Sequence, residues 1–200
     1  MRRQKRKPPS RGVMKAIIAI FLVVLFVSVM VIFSMTSKAS AESNKTTVEI
    51  YMDRVEPYKE TIFRILDAEN VPRDFIFLCL AESGGDPSNL SKAGAAGLWQ
   101  LMPHTANVYG ITAKERYDVE KSTRAAARYI RHLLDVFDND PQWAIAAYNA
   151  GGHNLKRVTG YKKGMDFAIV KDKRPAAYAL AKTVKGMANE YPSFKNNPSN

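Results

Sequence analysis

The sequence predicts a mainly α-helical protein, a single compact helical domain with a loop-rich segment, preceded by one transmembrane helix. Apolar residues from Thr47 onward recur at the three- and four-residue spacing of helices. Proline and aspartate stand where helices would begin, and alternating strand patterns are nearly absent. Two hundred residues suit one domain plus an appendage.

The first half of the domain contains two helical patterns followed by a loop. Pro57 lies near the start of the first pattern. Its apolar residues at helical spacing are Tyr58, Ile62, Ile65 and Leu66. Pro72 opens the second helix, which we expect to end at Glu82. From Gly84 to Gly97, glycines and other turn-forming residues predict a loop.

Helical signals also dominate the second half of the domain. A short helix is expected after Pro103, ended by Gly110. Asp118 is placed to cap a long helix. The apolar face of that helix consists of Ala126, Ile130, Leu133, Leu134 and Phe137. Asp140 and Pro141 start another helix, and a last helix follows Pro175.

A hydrophobic run near the N-terminus predicts a membrane anchor. Residues 16–35 carry no charge, and twenty apolar residues are enough to span a bilayer as a helix. Seven basic residues and no acidic residue precede the run, so the N-terminus is expected to stay in the cytoplasm and the rest to cross the inner membrane. A cleavable signal sequence is the alternative, because residues 39–41 (Ala-Ser-Ala) have the pattern of a cleavage site.

These features divide the chain into five segments. We expect a basic cytoplasmic tail at 1–15, the anchor at 16–35, a polar linker at 36–46, the helical domain at 47–190 and a flexible tail at 191–200. The domain is predicted to lie outside the cytoplasm, anchored to the membrane or secreted after cleavage near Ala41.

The charge distribution argues against nucleic acid as a partner. The net charge is +11, but residues 1–41 hold eight of the basic residues and no acidic residue. The remainder holds 22 basic and 19 acidic residues. Most of the excess positive charge therefore lies in the N-terminal segment, where it indicates membrane topology and not nucleic-acid binding.

No metal or cofactor site is predicted. Cys79 is the single cysteine, and we expect it to be buried and inert. His104, His132 and His153 do not have metal-ligand spacing. There is no phosphate-binding glycine loop.

Glu82 is the candidate catalytic acid. It follows an apolar run, residues 75–80, and precedes a glycine turn. Burial disfavours the ionised form, so the pKa of Glu82 should be raised, as a general acid requires. The alternative is a glutamate at a helix end that faces solvent.

Four segments give the chain a resemblance to a known family. They are Glu82-Ser83-Gly84, Gly97-Leu98-Trp99-Gln100-Leu101-Met102-Pro103, Ala147-Tyr148-Asn149-Ala150-Gly151, and Tyr178 after Arg174. In this order they resemble lytic transglycosylases of the soluble-transglycosylase (SLT) type. The stretch from Tyr51 to Leu80 and the segment Asn107-Val108-Tyr109-Gly110 resemble the membrane-bound type D branch more narrowly.

The resemblance implies a lysozyme-like fold and cleavage of peptidoglycan. The bond to be broken is the β-1,4 bond between N-acetylmuramic acid and N-acetylglucosamine. Glu82 would protonate the leaving oxygen and then take the proton of the muramic C6 hydroxyl, which closes on C1 to give a 1,6-anhydro end. This chemistry needs one carboxylate, and Asp86 is expected to cap a turn instead.

The resemblance also implies roles for the other motif residues. Ser83, Gln100, Tyr148, Asn149 and Tyr178 would bind substrate, with the Tyr178 hydroxyl steadying Glu82. Gly97, Leu98, Trp99, Met102 and Gly151 would shape the cleft. Alternatives remain for three of them: Ser83 bonding the backbone, Trp99 in the core, and Asn149 capping its helix.

Three functions remain open from the sequence. The first is an anchored lytic transglycosylase that remodels the wall or opens it locally, with peptidoglycan as substrate and a cell-envelope or secretion complex as a further partner. The second is a lysozyme-like hydrolase that uses water. The third is a non-catalytic glycan-binding scaffold. The product ends distinguish the first two.

Overall fold

The computed structural model describes Met30 and residues 45–191. Apart from Met30, Lys45 and Thr46, the predicted tail, anchor and linker lie outside the described residues, as does the segment 192–200. Within the part that the structure describes, no helix is both long and apolar enough to cross a membrane. The chain divides into two units at Thr47, and only the second is described below.

Nine α-helices make up the described part of this unit. They are α1 (Thr47–Val55), α2 (Lys59–Ala68), α3 (Ile76–Ser83), α4 (Pro103–Val108), α5 (Val119–Val136), α6 (Pro141–Ala150), α7 (Gly152–Thr159), α8 (Ile169–Lys173) and α9 (Pro175–Glu190). Short 3-10 turns at Glu56–Tyr58, Arg73–Phe75 and Glu115–Tyr117 precede α2, α3 and α5. The only strand-like pairings among the described residues are two isolated bridges, Leu90 with Ala96 and Ala96 with Leu101. The mainly α prediction is confirmed.

Helix starts follow the predicted capping residues. The Asp118 carboxylate accepts the Lys121 N–H at 2.9 Å and caps α5. Asp140 accepts the N–H of Gln142 at 2.8 Å, and Pro141 occupies the first turn of α6. Each cap satisfies a backbone donor that the helix itself leaves free.

Helix α3 lies in the middle of the core. Every residue from Phe75 to Leu80 is buried, because the helix is covered on several sides, including by α1 and α9. Helix α6 packs against α5 and α9, and α2 packs against α5. The core therefore holds α3 rigidly and fixes the position of the residues at its C-terminal end.

The loop between α3 and α4 is tied to the domain by two polar side chains. Arg116 is buried, and its guanidinium donates to the carbonyls of Gly94 at 2.7 Å and Leu101 at 2.8 Å. The Trp99 indole N–H donates to the Thr123 hydroxyl of α5 at 2.9 Å. Each bond pairs a polar group that burial would otherwise leave unsatisfied.

Candidate active site

Glu82 lies in the last turn of α3, where the buried helix reaches the surface. Gly84 ends the helix in a left-handed conformation with φ of 65°, and its N–H bonds the Leu80 carbonyl at 2.8 Å. The Glu82 side chain is partly buried. Burial raises its pKa from 4.5 to about 7, which leaves a large protonated fraction at neutral pH.

Tyr148 lies close to Glu82 and presents a buried hydroxyl. The hydroxyl donates to the Trp99 carbonyl at 2.8 Å, so α6 and the α3–α4 loop meet here. Burial raises the pKa of Tyr148 well above 10, and the Glu82 carboxylate raises it further. The tertiary structure thus brings together three sequence-predicted residues, Glu82, Trp99 and Tyr148.

A row of tyrosine rings extends from this point. The ring centroids of Tyr148 and Tyr129 are 5.0 Å apart, and those of Tyr129 and Tyr109 are 5.2 Å apart. Sequence reasoning missed Tyr129. The available signal was its place on α5 beside the apolar face, next to Ile130 and one turn before Leu133.

Ser83 and Asn149 differ in their accessibility. The Ser83 hydroxyl is buried, donating to the Cys79 carbonyl at 3.0 Å and accepting the Gly85 N–H at 3.2 Å. This is the backbone-bonding alternative for Ser83. The Asn149 side chain is exposed near the end of α6, and Gly151, with φ of 80°, turns the chain into α7.

Most of the predicted cleft-shaping residues support the loop from inside. Leu98 and Trp99 are fully buried, so their side chains cannot face a ligand, and the core alternative for Trp99 holds. At Gly97 a Cβ atom would lie 1.8 Å from the Arg116 carbonyl oxygen, so only glycine fits. Met102, in contrast, is 43% exposed.

The Gln100 side chain is hydrogen-bonded to the backbone of the α3–α4 loop. It is 9% exposed, and its amide nitrogen donates to the carbonyls of Gly97 at 2.9 Å and Asn89 at 3.1 Å. Its backbone has a positive φ of 47°. These bonds fix the side chain in one orientation and use both N–H groups of the amide, so the amide nitrogen cannot also donate to a sugar.

Tyr178 lies in an aromatic cluster. Its ring stacks on Phe167, with centroids 5.4 Å apart, and Phe167 packs edge-on against Trp143. Phe167 comes from the segment before α9 and so fixes the Tyr178 ring, while the pairing of the Tyr178 hydroxyl with Glu82 stays a prediction.

Among the described residues, no carboxyl other than that of Glu82 has a clearly raised pKa. The Asp86 carboxylate accepts the N–H and the hydroxyl of Ser88 at 2.8 and 2.7 Å. These bonds lower its pKa, so Asp86 is an ionised turn cap, as expected. Within the described residues, no group of three His, Cys, Asp or Glu side chains could hold a metal ion.

Known proteins share this fold and these motifs. Residues 60–170 match the family model described as "Transglycosylase SLT domain". The chain is 35% identical over 132 residues to membrane-bound lytic murein transglycosylase D of Escherichia coli, which covers 62% of this chain and 29% of that protein. It is 38% identical over 80 residues to the transglycosylase of Enterobacteria phage PRD1, covering 40% of this chain and 29% of the phage protein.

A solved structure gives the same result for the fold. The 70 kDa soluble lytic transglycosylase of Escherichia coli superposes with a TM-score of 0.63 at 24% identity, covering 70% of this chain and 25% of that chain. The chain thus spans less than a third of these relatives. Since the family model matches more than half of the sequence, the chain belongs to the transglycosylase SLT-domain family.

Proposed function

We propose that the chain is a lytic transglycosylase that cleaves the β-1,4 bond between N-acetylmuramic acid and N-acetylglucosamine in peptidoglycan. One observation carries the proposal: the partly buried carboxyl of Glu82 has a pKa of about 7 at the end of a buried helix. Membership of the family and the murein transglycosylase names of the relatives support the same activity.

In the proposed mechanism Glu82 acts twice. Protonated Glu82 donates to the glycosidic oxygen, and the N-acetylglucosamine departs as an alcohol. The carboxylate then takes the proton of the muramic C6 hydroxyl as that oxygen bonds to C1. The product is a 1,6-anhydro end, no water is consumed, and Glu82 recovers its proton. A pKa near the working pH suits both steps.

The neighbouring groups favour this single-carboxylate mechanism. Ordinary glycosidases use two carboxylates. Asp86 is occupied by Ser88. The Tyr148 hydroxyl directs its proton to the Trp99 carbonyl, and its raised pKa keeps it neutral. Glu82 is therefore the group best suited to exchange a proton with the substrate.

Roles in substrate binding are proposed from accessibility. Asn149 and Met102 are exposed and suit direct contact with sugar rings. Gln100 and Tyr148 fix the walls beside Glu82, and Ser83 and Gly151 fix the two chain turns. For Tyr178 we propose a position in the cleft wall, with its ring stacked on Phe167 and its hydroxyl steadying Glu82.

The setting of the enzyme is also a proposal. We propose that residues 47–190 form the catalytic domain, held on the periplasmic side of the inner membrane by the uncharged run at 16–35. The membrane-bound name of the type D relative supports this setting. A small anchored enzyme suits local wall opening for an envelope or secretion complex. Failure to recover any envelope complex after crosslinking would count against that partner.

The decisive experiment is product analysis. The full chain in detergent micelles is incubated with purified peptidoglycan, and the muropeptides are read by mass spectrometry. We expect products lighter by one water than the hydrolysis products. Glu82→Gln should abolish cleavage, whereas Asp86→Asn, a matched change to a nearby turn cap, should retain it.

Two other outcomes would reject the proposal. Reducing ends in place of anhydro ends would identify a lysozyme-like hydrolase. Binding of peptidoglycan without any product would identify a glycan-binding scaffold.

A further inference from the structure

All three histidines of the chain line one cavity. His104 comes from α4, His132 from α5 and His153 from α7, and the cavity has a volume of about 220 Å³. These residues are distant in sequence, and all three side chains are exposed to solvent. The fold thus gathers every imidazole of the protein at one accessible place.

The cavity adjoins the candidate active site. Tyr109 and Tyr129 also line it, and their rings belong to the tyrosine row that ends at Tyr148. Tyr148 in turn lies close enough to Glu82 for the carboxylate to raise its pKa. A polymer bound at Glu82 is therefore within reach of the histidine-lined cavity.

The lining is rich in hydrogen-bond donors and free of acidic side chains. Besides the three imidazoles it contains the hydroxyls of Tyr109 and Thr105, and no Asp, Glu, Lys or Arg, whereas the Tyr129 hydroxyl donates to the Ala147 carbonyl at 3.5 Å. A neutral imidazole donates one hydrogen bond, and a protonated one donates two and adds a positive charge. This combination suits an anion and disfavours a cation.

The charged groups near the cavity reinforce this preference. On α5, Arg128 and Asp135 lie about one turn either side of His132, and Asp135 is paired with Arg131 at 2.7 Å. On α7, Lys156 and Arg157 lie one turn beyond His153. A metal ion does not fit, because among the described residues no three His, Cys, Asp or Glu side chains, these imidazoles included, are arranged so that they could hold one.

The cavity is large enough for part of a ligand but too small to enclose a whole one. Sites that enclose a whole small molecule typically measure about 300–1,000 Å³. A cavity of about 220 Å³ takes one arm of a polymer. In peptidoglycan the arm that carries carboxylates is the peptide stem attached to the muramic lactyl group.

We propose that the cavity formed by His104, His132 and His153 binds a carboxylate of the peptide stem, and that it binds more tightly at mildly acidic pH. The inference rests on the proposed function, since it assumes a glycan strand at Glu82. Protonated imidazoles form charge-assisted hydrogen bonds with carboxylates, which are about twice as strong as neutral ones.

The test measures binding separately from cleavage. The full chain carrying Glu82→Gln, in detergent micelles, is titrated with N-acetylmuramoyl-L-alanyl-D-glutamate at pH 5.5 and pH 7.5, and the imidazole NMR signals are followed. We expect saturable shifts of all three imidazoles and about tenfold tighter binding at pH 5.5, as expected for one charge-assisted contact. Unshifted imidazoles, or equal affinity at the two pH values, would overturn the proposal.

Two further ligands test whether the stem carboxylates are recognised, and three variants test whether His132 contributes to binding. The bis-amide of the same ligand should lose the pH dependence, and inorganic phosphate should bind at least tenfold more weakly; equal binding of phosphate would contradict recognition of the stem. His132→Gln should weaken binding at pH 5.5, whereas His132→Arg should retain it at both pH values. Lys185→Gln, which removes a charge from a different cavity, serves as control and should bind as the parent does.

The result is independent of the cleavage assay. Peptide binding without peptidoglycan cleavage by the unmodified chain would keep this inference and reject the proposed activity. Cleavage without peptide binding would do the opposite.

Discussion

Replacement of Glu82 by glutamine should stabilise the protein at high pH while abolishing its activity. The folded protein holds the pKa of the carboxyl at about 7, against an ordinary value of 4.5. Each pKa unit corresponds to about 1.4 kcal/mol. Ionised Glu82 therefore costs the folded state about 3 kcal/mol, a cost that glutamine does not carry.

The sign of the effect depends on pH. At pH 4 the carboxyl is mostly protonated in the folded and the unfolded chain, so wild type and Glu82→Gln should have similar stability. Between pH 4.5 and 7 the folded protein binds the proton more tightly than the unfolded chain, so the free energy of unfolding falls as pH rises. Above pH 7 the variant should be more stable by about 3 kcal/mol.

Urea unfolding at pH 4 and pH 8 measures this difference. The fluorescence of Trp99 and Trp143 reports it, because both indoles are buried in the folded domain. Asp86→Asn is the matched control and should show the opposite trend, since its carboxyl has a lowered pKa. An equal difference between wild type and Glu82→Gln at both pH values would refute the argument that burial sets the pKa of Glu82.

Three further changes test the loop and its contact with α6. Gly97→Ala should lower the free energy of unfolding by more than about 3 kcal/mol, because its Cβ would lie 1.8 Å from a carbonyl oxygen at a φ of 78°. Gly94→Ala is the control, with a φ of 90° and open space around the added Cβ, and should cost about 1 kcal/mol in urea unfolding. Similar losses for the two variants would contradict the clash at Gly97. Arg116→Met should lower the free energy of unfolding by about 3 kcal/mol in the same assay, since it removes the donors to three loop carbonyls at 2.7–2.9 Å. An unchanged urea midpoint would show that these bonds are dispensable. Tyr148→Phe should cost about 1 kcal/mol by losing the bond to Trp99, and thermal unfolding that matches wild type would count against that bond.

Helix starts were predictable because their causes are local. Asp118 and Asp140 cap backbone N–H groups two or three residues away, so the sequence alone contains both partners of each bond. The burial of α3 was predictable for a similar reason. Residues 75–80 form an uninterrupted apolar run, and a helix that is apolar on all sides is removed from water only inside a core.

The roles of several motif residues could not be predicted, because they depend on contacts between distant segments. Trp99 and its partner Thr123 are 24 residues apart, with the whole of α4 between them, and that contact holds the Trp99 ring in the core. The Tyr178 ring packs on Phe167 of the segment before α9, and no local pattern indicated that contact.

The sequence by itself determined the helical class and the helix starts, since these depend on neighbours within a turn or two of chain. It also made Glu82 the candidate acid, through the resemblance that Glu82 and the later motif segments give to the family. Only the tertiary structure decided the pKa of Glu82, its proximity to Tyr148 and the gathering of the three histidines in one cavity. Desolvation and charge act through space, so their strength follows the packing of α3, α5 and α6 and not the order of residues.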